Sequence, residues 1–473
     1  MKPLASATTP RFSNSKQLAA LALPIALTQL AQVALTTTDT LMMGLIGTEA
    51  LAAGGLAVVL FNQLRTMGVG LITAVGNQVA ATQARVEVAA DGAGNTTDDP
   101  EPIRDIVRAS FAIATVAGIL GAIIIVALGH ALVWFGQDPA VLDLAQPMLL
   151  TLAVGLVPCL WFQVIRQFTV GMRRPKALIW ITVGSIAVNA GLNWVLISGA
   201  WGLPRFGLPG IGLATSLVYL LSFLVFYAVV RRDPVLAPLL SLRGWKSSGA
   251  TVRKLVKLGI PISATYGSEA GFFSVVAVLM GTFGPAALAA HTVVNQLVYI
   301  TFQISVGLSH GASILISREL AQHNTTAAAR IARTALGHGA IVMALVAALY
   351  LAAPNLVLRP FLDVSNPAEQ AGFAIAAGLL VVAAGMQFVD CAQNIGVGLL
   401  RGLDDTKSGF RLSLVGYWAV GLPAAWLLGW LAGAGPIGAW LGLAAGLATT
   451  AVLLLRRFQS SLNKLHAVPR TQE

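Results

Sequence analysis

Three carboxylates occupy positions where a membrane would make them costly. Asp39, Glu269 and Asp390 are the three of the nineteen acidic residues that lie well inside long apolar runs. An ionisable side chain in such a place marks a functional site by default. A carboxyl group in low dielectric can take and release a proton near neutral pH, and among oxygen ligands it can hold a hard cation such as sodium. Either use lets an ion gradient select between two conformations. Asn189 and Asn193, four residues apart, share a helix face. With Thr215 and Asp39 they can supply an oxygen-lined cation site; interhelical hydrogen bonding is their competing role. Gln387, Gln393 and Asn394 flank Asp390 and either orient it or meet a substrate. Met42, Met43, Met280 and Met386, with Phe272 and Phe273, can line an adaptable apolar cavity or simply pack a core. The competing role for the carboxylates is an ion pair with Arg65 or Arg166, the basic residues that also fall within apolar runs. Arg166 lies near enough to a run's end to snorkel, and Arg65 cannot serve three acids.

The elements that must hold these groups are membrane helices. Of 473 residues, 56% are hydrophobic and 10% charged, against about 25% charged in ordinary globular chains. The mean hydropathy is +0.78. Apolar runs fall near 18–45, 52–80, 107–135, 144–171, 177–200, 209–230, 254–282, 287–317, 331–353, 370–400, 410–432 and 436–455, twelve candidate spans. Each is long enough to cross a hydrocarbon layer of about 30 Å. The first is too long for a secretory signal and is expected to be retained.

Basic residues set the orientation. With a cytoplasmic N-terminus, 26 of the 30 Lys and Arg fall on the cytoplasmic side and only Arg205 and Arg359 outside. Both termini are then cytoplasmic. The net charge of +11 is spent on this asymmetry; no basic stripe is interleaved with exposed aromatics, which argues against nucleic acid. Cys159 and Cys391 sit in apolar runs and make neither a disulfide framework nor a thiolate metal site. No lysine follows a glycine, so there is no phosphate-binding loop for ATP, and no HExxH occurs. The pattern is that of a transporter rather than an enzyme, with no cofactor beyond a coupling ion.

An internal repeat divides the chain. LALPI at 21–25 returns as LGIPI at 258–262, and MGLIGTEALAA at 43–53 as MGTFGPAALAA at 280–290, both at an offset of 237. The halves are read as 1–235, with a flexible loop at 86–106, and 254–473, joined by a linker at 236–253. Six spans per half make two six-helix bundles inserted the same way and related by an axis along the membrane normal. In this register Glu269 falls on Gln32, seven residues before Asp39, so the first span of each half presents a similar polar face. Pro24 and Pro261 occupy equivalent positions and can mark kinks.

PIALTQLAQVALTTTDTLMMGLIGTEALAA in the first span, and GVGLLRGLDDTKSG after the tenth, closely resemble the multidrug and toxic compound extrusion (MATE) transporters. The resemblance extends over residues 15 to 457. Glu269 together with Asp390 is similar to the NorM-type branch. The resemblance implies an all-α integral membrane fold, twelve helices in two bundles forming a V around a central cavity. It implies efflux of bulky, often cationic drugs in exchange for sodium or protons, from a bacterial inner membrane and as a monomer. Glu269, Asp390 and Asp39 would then be the cation-coupling carboxylates, and Asn189, Asn193 and Thr215 a first-half cation site. Gln32, Phe272, Gln387, Gln393 and Asn394 would face the substrate cavity. Asn193 stands where some members carry a second acid, which removes a charge from the first-half site. The alternative is a lipid-linked oligosaccharide flippase of the same superfamily, expected to carry basic rather than acidic cavity residues.

Overall fold

The structure, a computed structural model, describes residues 11–93, 100–135, 139–362 and 367–467. Among the described residues, twelve helices are long and apolar enough to cross a membrane. The first half contains α1 (Arg11–Ile46), α2 (Thr48–Ala93), α3 (Glu101–Ala131), α4 (Pro139–Gly171), α5 (Lys176–Ser198) and α6 (Leu208–Arg232). The second contains α7 (Gly249–Gly281), α8 (Pro285–Ala321), α9 (Thr325–Ala352), α10 (Pro367–Gly402), α11 (Thr406–Leu431, in α and π segments) and α12 (Gly435–Ala467). An even number of spans returns the chain to the face where it began, here called the terminal face.

Several helices outrun their apolar segments. Residues 86–93 continue α2 and 101–106 open α3, so much of the expected 86–106 loop is helical; residues 94–99 lie outside the described ones. Ion pairs hold these polar ends. Arg318 of α8 donates to both oxygens of Glu87, and Glu101 accepts from Arg104 and Arg108. The linker is also better anchored than its polarity suggests. Leu236, Leu239 and Leu240 are buried in the large apolar core that both halves share. Arg104 donates twice to the Pro238 carbonyl, and Asp105 accepts from the Ser248 amide at 2.7 Å and the Thr251 hydroxyl at 2.6 Å.

The repeat becomes a two-fold seam. A Cβ on Gly70 would press on the Ser263 backbone of α7, and one on Gly307 would press on Ala22 and Ala26 of α1. Adding 237 to 70 and to 26 gives 307 and 263, so the two contacts are images of each other. This self-complementary exchange is the signature of a two-fold interface. The prolines repeat in the same way. Thr28 donates its hydroxyl to the Pro24 carbonyl, and Thr265 to that of Pro261, each at 2.8 Å. In each case the hydroxyl bonds the carbonyl four residues back, a local contact that often bends a helix.

The halves meet mainly toward the terminal face. Asn77 donates to the Ser313 carbonyl and hydroxyl and to the Ser317 hydroxyl, and Gln78 donates to Asp404. Among the described residues, the inter-half hydrogen bond farthest from that face is Gln63 to the Gly267 carbonyl, at 3.4 Å. Beyond that level the bundles part, giving a V closed at the terminal face and open at the other.

Within the second half, Gly438, Gly442 and Gly446 lay α12 directly on α11. A Cβ on Gly442 would overlap the Ala424–Ala425 backbone, whereas one on Gly55 would meet open space. Gly442→Ala is therefore expected to cost about 1–3 kcal/mol, while Gly55→Ala leaves stability unchanged. Thermal unfolding followed by size-exclusion chromatography checks both; equal midpoints would contradict the close contact.

Candidate functional site

The carboxylates separate into two clusters, one in each half. In the second half, Glu269 stands on α7 between Gly267 and Gly271. These two small residues let Met67 of α2 and Trp418 of α11 approach on either side, and Trp418 donates its indole N–H to Ser268 at 2.9 Å. Gln393 on α10 donates its amide to Glu269 Oε1 at 3.0 Å and accepts the Tyr417 hydroxyl at 2.9 Å. Tyr417 lies in a π-helical stretch of α11, Val415–Gly421. Such a stretch widens the turn and re-aims side chains, and is frequent at functional sites.

Asp390 is buried one turn from Gln393 on α10. Its Oδ1 has no hydrogen-bond partner among the described residues, nor does either amide atom of Gln387 or the Nδ2 of Asn394. Positions 387, 390 and 394 follow a three-then-four spacing, one face of a helix. A row of buried, unsatisfied polar atoms on one face calls for water or an ion. The donor set fits a proton or a hard cation held by oxygen.

In the first half, Asp39 turns into the bundle between α1, α5 and α6. Asn193 donates to its Oδ1 at 2.8 Å and Thr215 to its Oδ2 at 2.9 Å; Asn193 also donates to Asn189 Oδ1 at 3.3 Å. The second face of each amide, Asn189 Nδ2 and Asn193 Oδ1, is left unpaired. Beside them opens a cleft of about 30 Å³, lined by residues including Gln32, Thr36, Asp39, Asn62, Arg65 and Tyr219. That is room for a water or two, or one unhydrated ion.

The structure brings Asp39, Asn189, Asn193 and Thr215 together as the sequence suggests, and likewise Glu269, Asp390 and Gln393. No hydrogen bond joins the two clusters among the described residues. Ion pairing does not account for the acids: none of the three has an arginine or lysine nitrogen within 4.0 Å among the described residues. Arg65 instead donates to Asn62 at 3.1 Å and to Gln32 at 3.4 Å.

Other expectations change. Arg166 does not snorkel; it is 3% exposed and donates to Gln163. Phe272 does not face the cavity. Its ring stacks on Tyr417 at 5.3 Å and is wholly buried in the second-half core, because α11 covers that face of α7. Met43, Met280 and Met386 are core residues as well. Gln387 and Gln393 are buried within the second bundle, beside the acids rather than in the open V. Gln32 is half-buried at the first-half cleft.

Tyr417 is the contributor that sequence reasoning missed. Its signal was faint: one hydroxyl among several along a mostly apolar span. Two strings that elsewhere mark enzyme sites fall in other settings here. Gly307-Leu-Ser-His-Gly311 lies inside α8, where Ser309 donates to the Asn394 carbonyl rather than to a base. Gly433-Ala-Gly-Pro-Ile-Gly438 is the turn into α12, its first two glycines at positive φ, and no strand precedes it.

Comparison with known proteins agrees with this architecture. The sequence profile of the MatE family matches residues 24–195 and 261–427, the second match starting 237 residues after the first. A probable multidrug resistance protein NorM from Pseudomonas aeruginosa is 37% identical over 453 residues, covering 96% of this chain and 90% of that protein. A protein of the same description from Pseudomonas syringae pv. tomato is 35% identical, covering 95% of each. Among solved structures, an outward-facing multidrug resistance MATE transporter superposes with a TM-score of 0.84 at 16% identity. The match covers 96% of this chain and 97% of that one.

Proposed function

The chain belongs to the MatE family, and from that premise we propose that it exports bulky organic cations by antiport with sodium ions or protons. It is a multidrug efflux transporter integral to the membrane, and its substrates are small molecules. The observation that carries the coupling is the set of three intramembrane carboxylates with amide and hydroxyl donors but no cationic partner. Such groups are free to be neutralised by an incoming ion.

The terminal face is cytoplasmic in this reading, since 26 of the 30 Lys and Arg belong to the sequence segments assigned to that side. The V then opens to the outside of a bacterial inner membrane. The incoming cation binds at Glu269 and Asp390, at Asp39, or at both. The monomer rocks about the seam to open inward, where drug binding accompanies cation release. Return outward releases the drug. Negative carboxylates beneath the open V favour cationic substrates over anionic ones. They also favour a drug exporter over a flippase for pyrophosphate-linked lipids.

The direct test is ethidium efflux from loaded proteoliposomes under a sodium or a proton gradient. One gradient should drive efflux and the other should not; failure of both would end the antiport reading. The first-half site gives a second expectation. Asn193→Asp places a second carboxylate against Asp39, where the amide now sits at 2.8 Å. Two such charges require a shared proton or a bound cation. Sodium at 100 times its dissociation constant should then stabilise the variant by about 2.7 kcal/mol, read as a sodium-dependent rise in Tm larger than in the parent. An equal rise in both would show that this pair does not hold the ion.

A further inference from the structure

We propose that Arg401 and Arg166 form an electrostatic barrier to cations in the closed seam, keeping the coupling ion from leaking to the terminal face. The inference rests on the antiport reading above and adds residues to it.

Arg401 ends α10 and is 2% exposed. It donates to the hydroxyls of Ser313, Tyr266 and Ser309, each at 3.2 Å. The Tyr266 hydroxyl in turn meets His310 Nε2 at 3.3 Å. None of these partners is an acid. Arg166, on α4 of the other half, is equally buried, and among the described residues its side-chain partner is Gln163. The next residue, Gln167, packs with Ile314 of α8 around Gly76 of α2, which places this turn of α4 at the seam. Neither arginine takes part in any ion pair among the described residues, although Arg104, Arg108, Arg174, Arg318 and Arg457 all do. A buried guanidinium without a counter-charge is costly, and two of them toward the same face call for a role that needs positive charge.

Their placement supplies one. Tyr266 lies three residues before Glu269 on α7, about one turn nearer the terminal face. Gly70 of α2 packs against the Tyr266 ring, so the tyrosine fills the seam where the halves touch. Arg401 follows Asp390 by eleven residues, close to three full turns. The two therefore share a face of α10 about 16 Å apart along its axis. The Ser313 hydroxyl accepts from Arg401 of one half and from Asn77 of the other, which ties the arginine to the closed seam. An ion released from Asp390 toward the terminal face meets this positive group before it meets water. Fixed arginines exclude cations in this way from other narrow membrane pathways. Rocking the bundles apart would break the Asn77–Ser313 contact and hydrate the barrier, so passage comes only with the conformational change.

The test uses the full chain in proteoliposomes without drug, measuring sodium and proton leak down an imposed gradient with potassium and valinomycin clamping the voltage. Arg401→Gln and Arg166→Gln should each raise the leak by about tenfold. Arg401→Lys and Arg166→Lys keep the charge but lose the planar fork of donors, and should leak no more than the parent. Leak unchanged in the Gln variants would overturn the proposal. Lys variants that leak like the Gln ones would also overturn it, by assigning the arginines to hydrogen-bonded packing. Elution of each variant at the parent's position excludes unfolding as the cause. Ethidium efflux by the parent is scored separately, so failure of antiport is distinguishable from failure of the barrier.

Discussion

Glu269→Gln and Asp390→Asn should each reduce gradient-driven ethidium efflux to the level of protein-free vesicles. Moving a two-state equilibrium from 1:99 to 99:1 takes about 5.5 kcal/mol of differential binding. A charged carboxylate meeting a cation in a partly dry site can supply an interaction of that order; a neutral amide of the same shape cannot. The substitutions also spare the surroundings. Glu269 accepts one amide hydrogen from Gln393, and a glutamine oxygen can accept it in the same place. Asp390 Oδ1 has no partner to lose among the described residues. Folding, measured by Tm and elution position, should therefore stay near that of the parent while exchange disappears. Variants that pump like the parent would make the carboxylates structural and would reopen the flippase alternative.

Pinning the seam is the second large effect. A Cβ built on Gly311 of α8 lies 3.4 Å from the Cβ of Ala22 on α1, just short of the roughly 3.5–4.5 Å found across disulfides. Ala22→Cys with Gly311→Cys should close a bond across the terminal side of the V. The native Cys159 and Cys391 are buried and do not compete. Once oxidised, the protein would stay open to the opposite face, and exchange should stop because that seam must part in every cycle. Dye binding from the open side should persist, and a reductant should restore transport. Full transport by a protein proved cross-linked by mass spectrometry would exclude rocking about this seam.

The sequence by itself went far with this protein because a membrane imposes few and strict rules. Twelve apolar runs had to be helices, since a lipid-exposed backbone must satisfy its own hydrogen bonds. The offset of 237 required two like bundles, and Asp39, Glu269 and Asp390 stood out because a charge there is costly. Spacing also paired Asn189 with Asn193 on one face, and the structure joins Asn193 both to Asp39 and to Asn189. Periodicity on one helix says nothing about which neighbour covers it. Only the tertiary structure decided that α11 would cover Phe272 and bring the Tyr417 hydroxyl to Gln393. The same holds for Arg166 and Arg401, which hydropathy placed near a span end and in a connection, yet which lie buried without acidic partners. Charge asymmetry is written residue by residue along a chain. The closure of a seam depends on the joint packing of four helices, α1, α2, α7 and α8, from two halves, and no single segment encodes it.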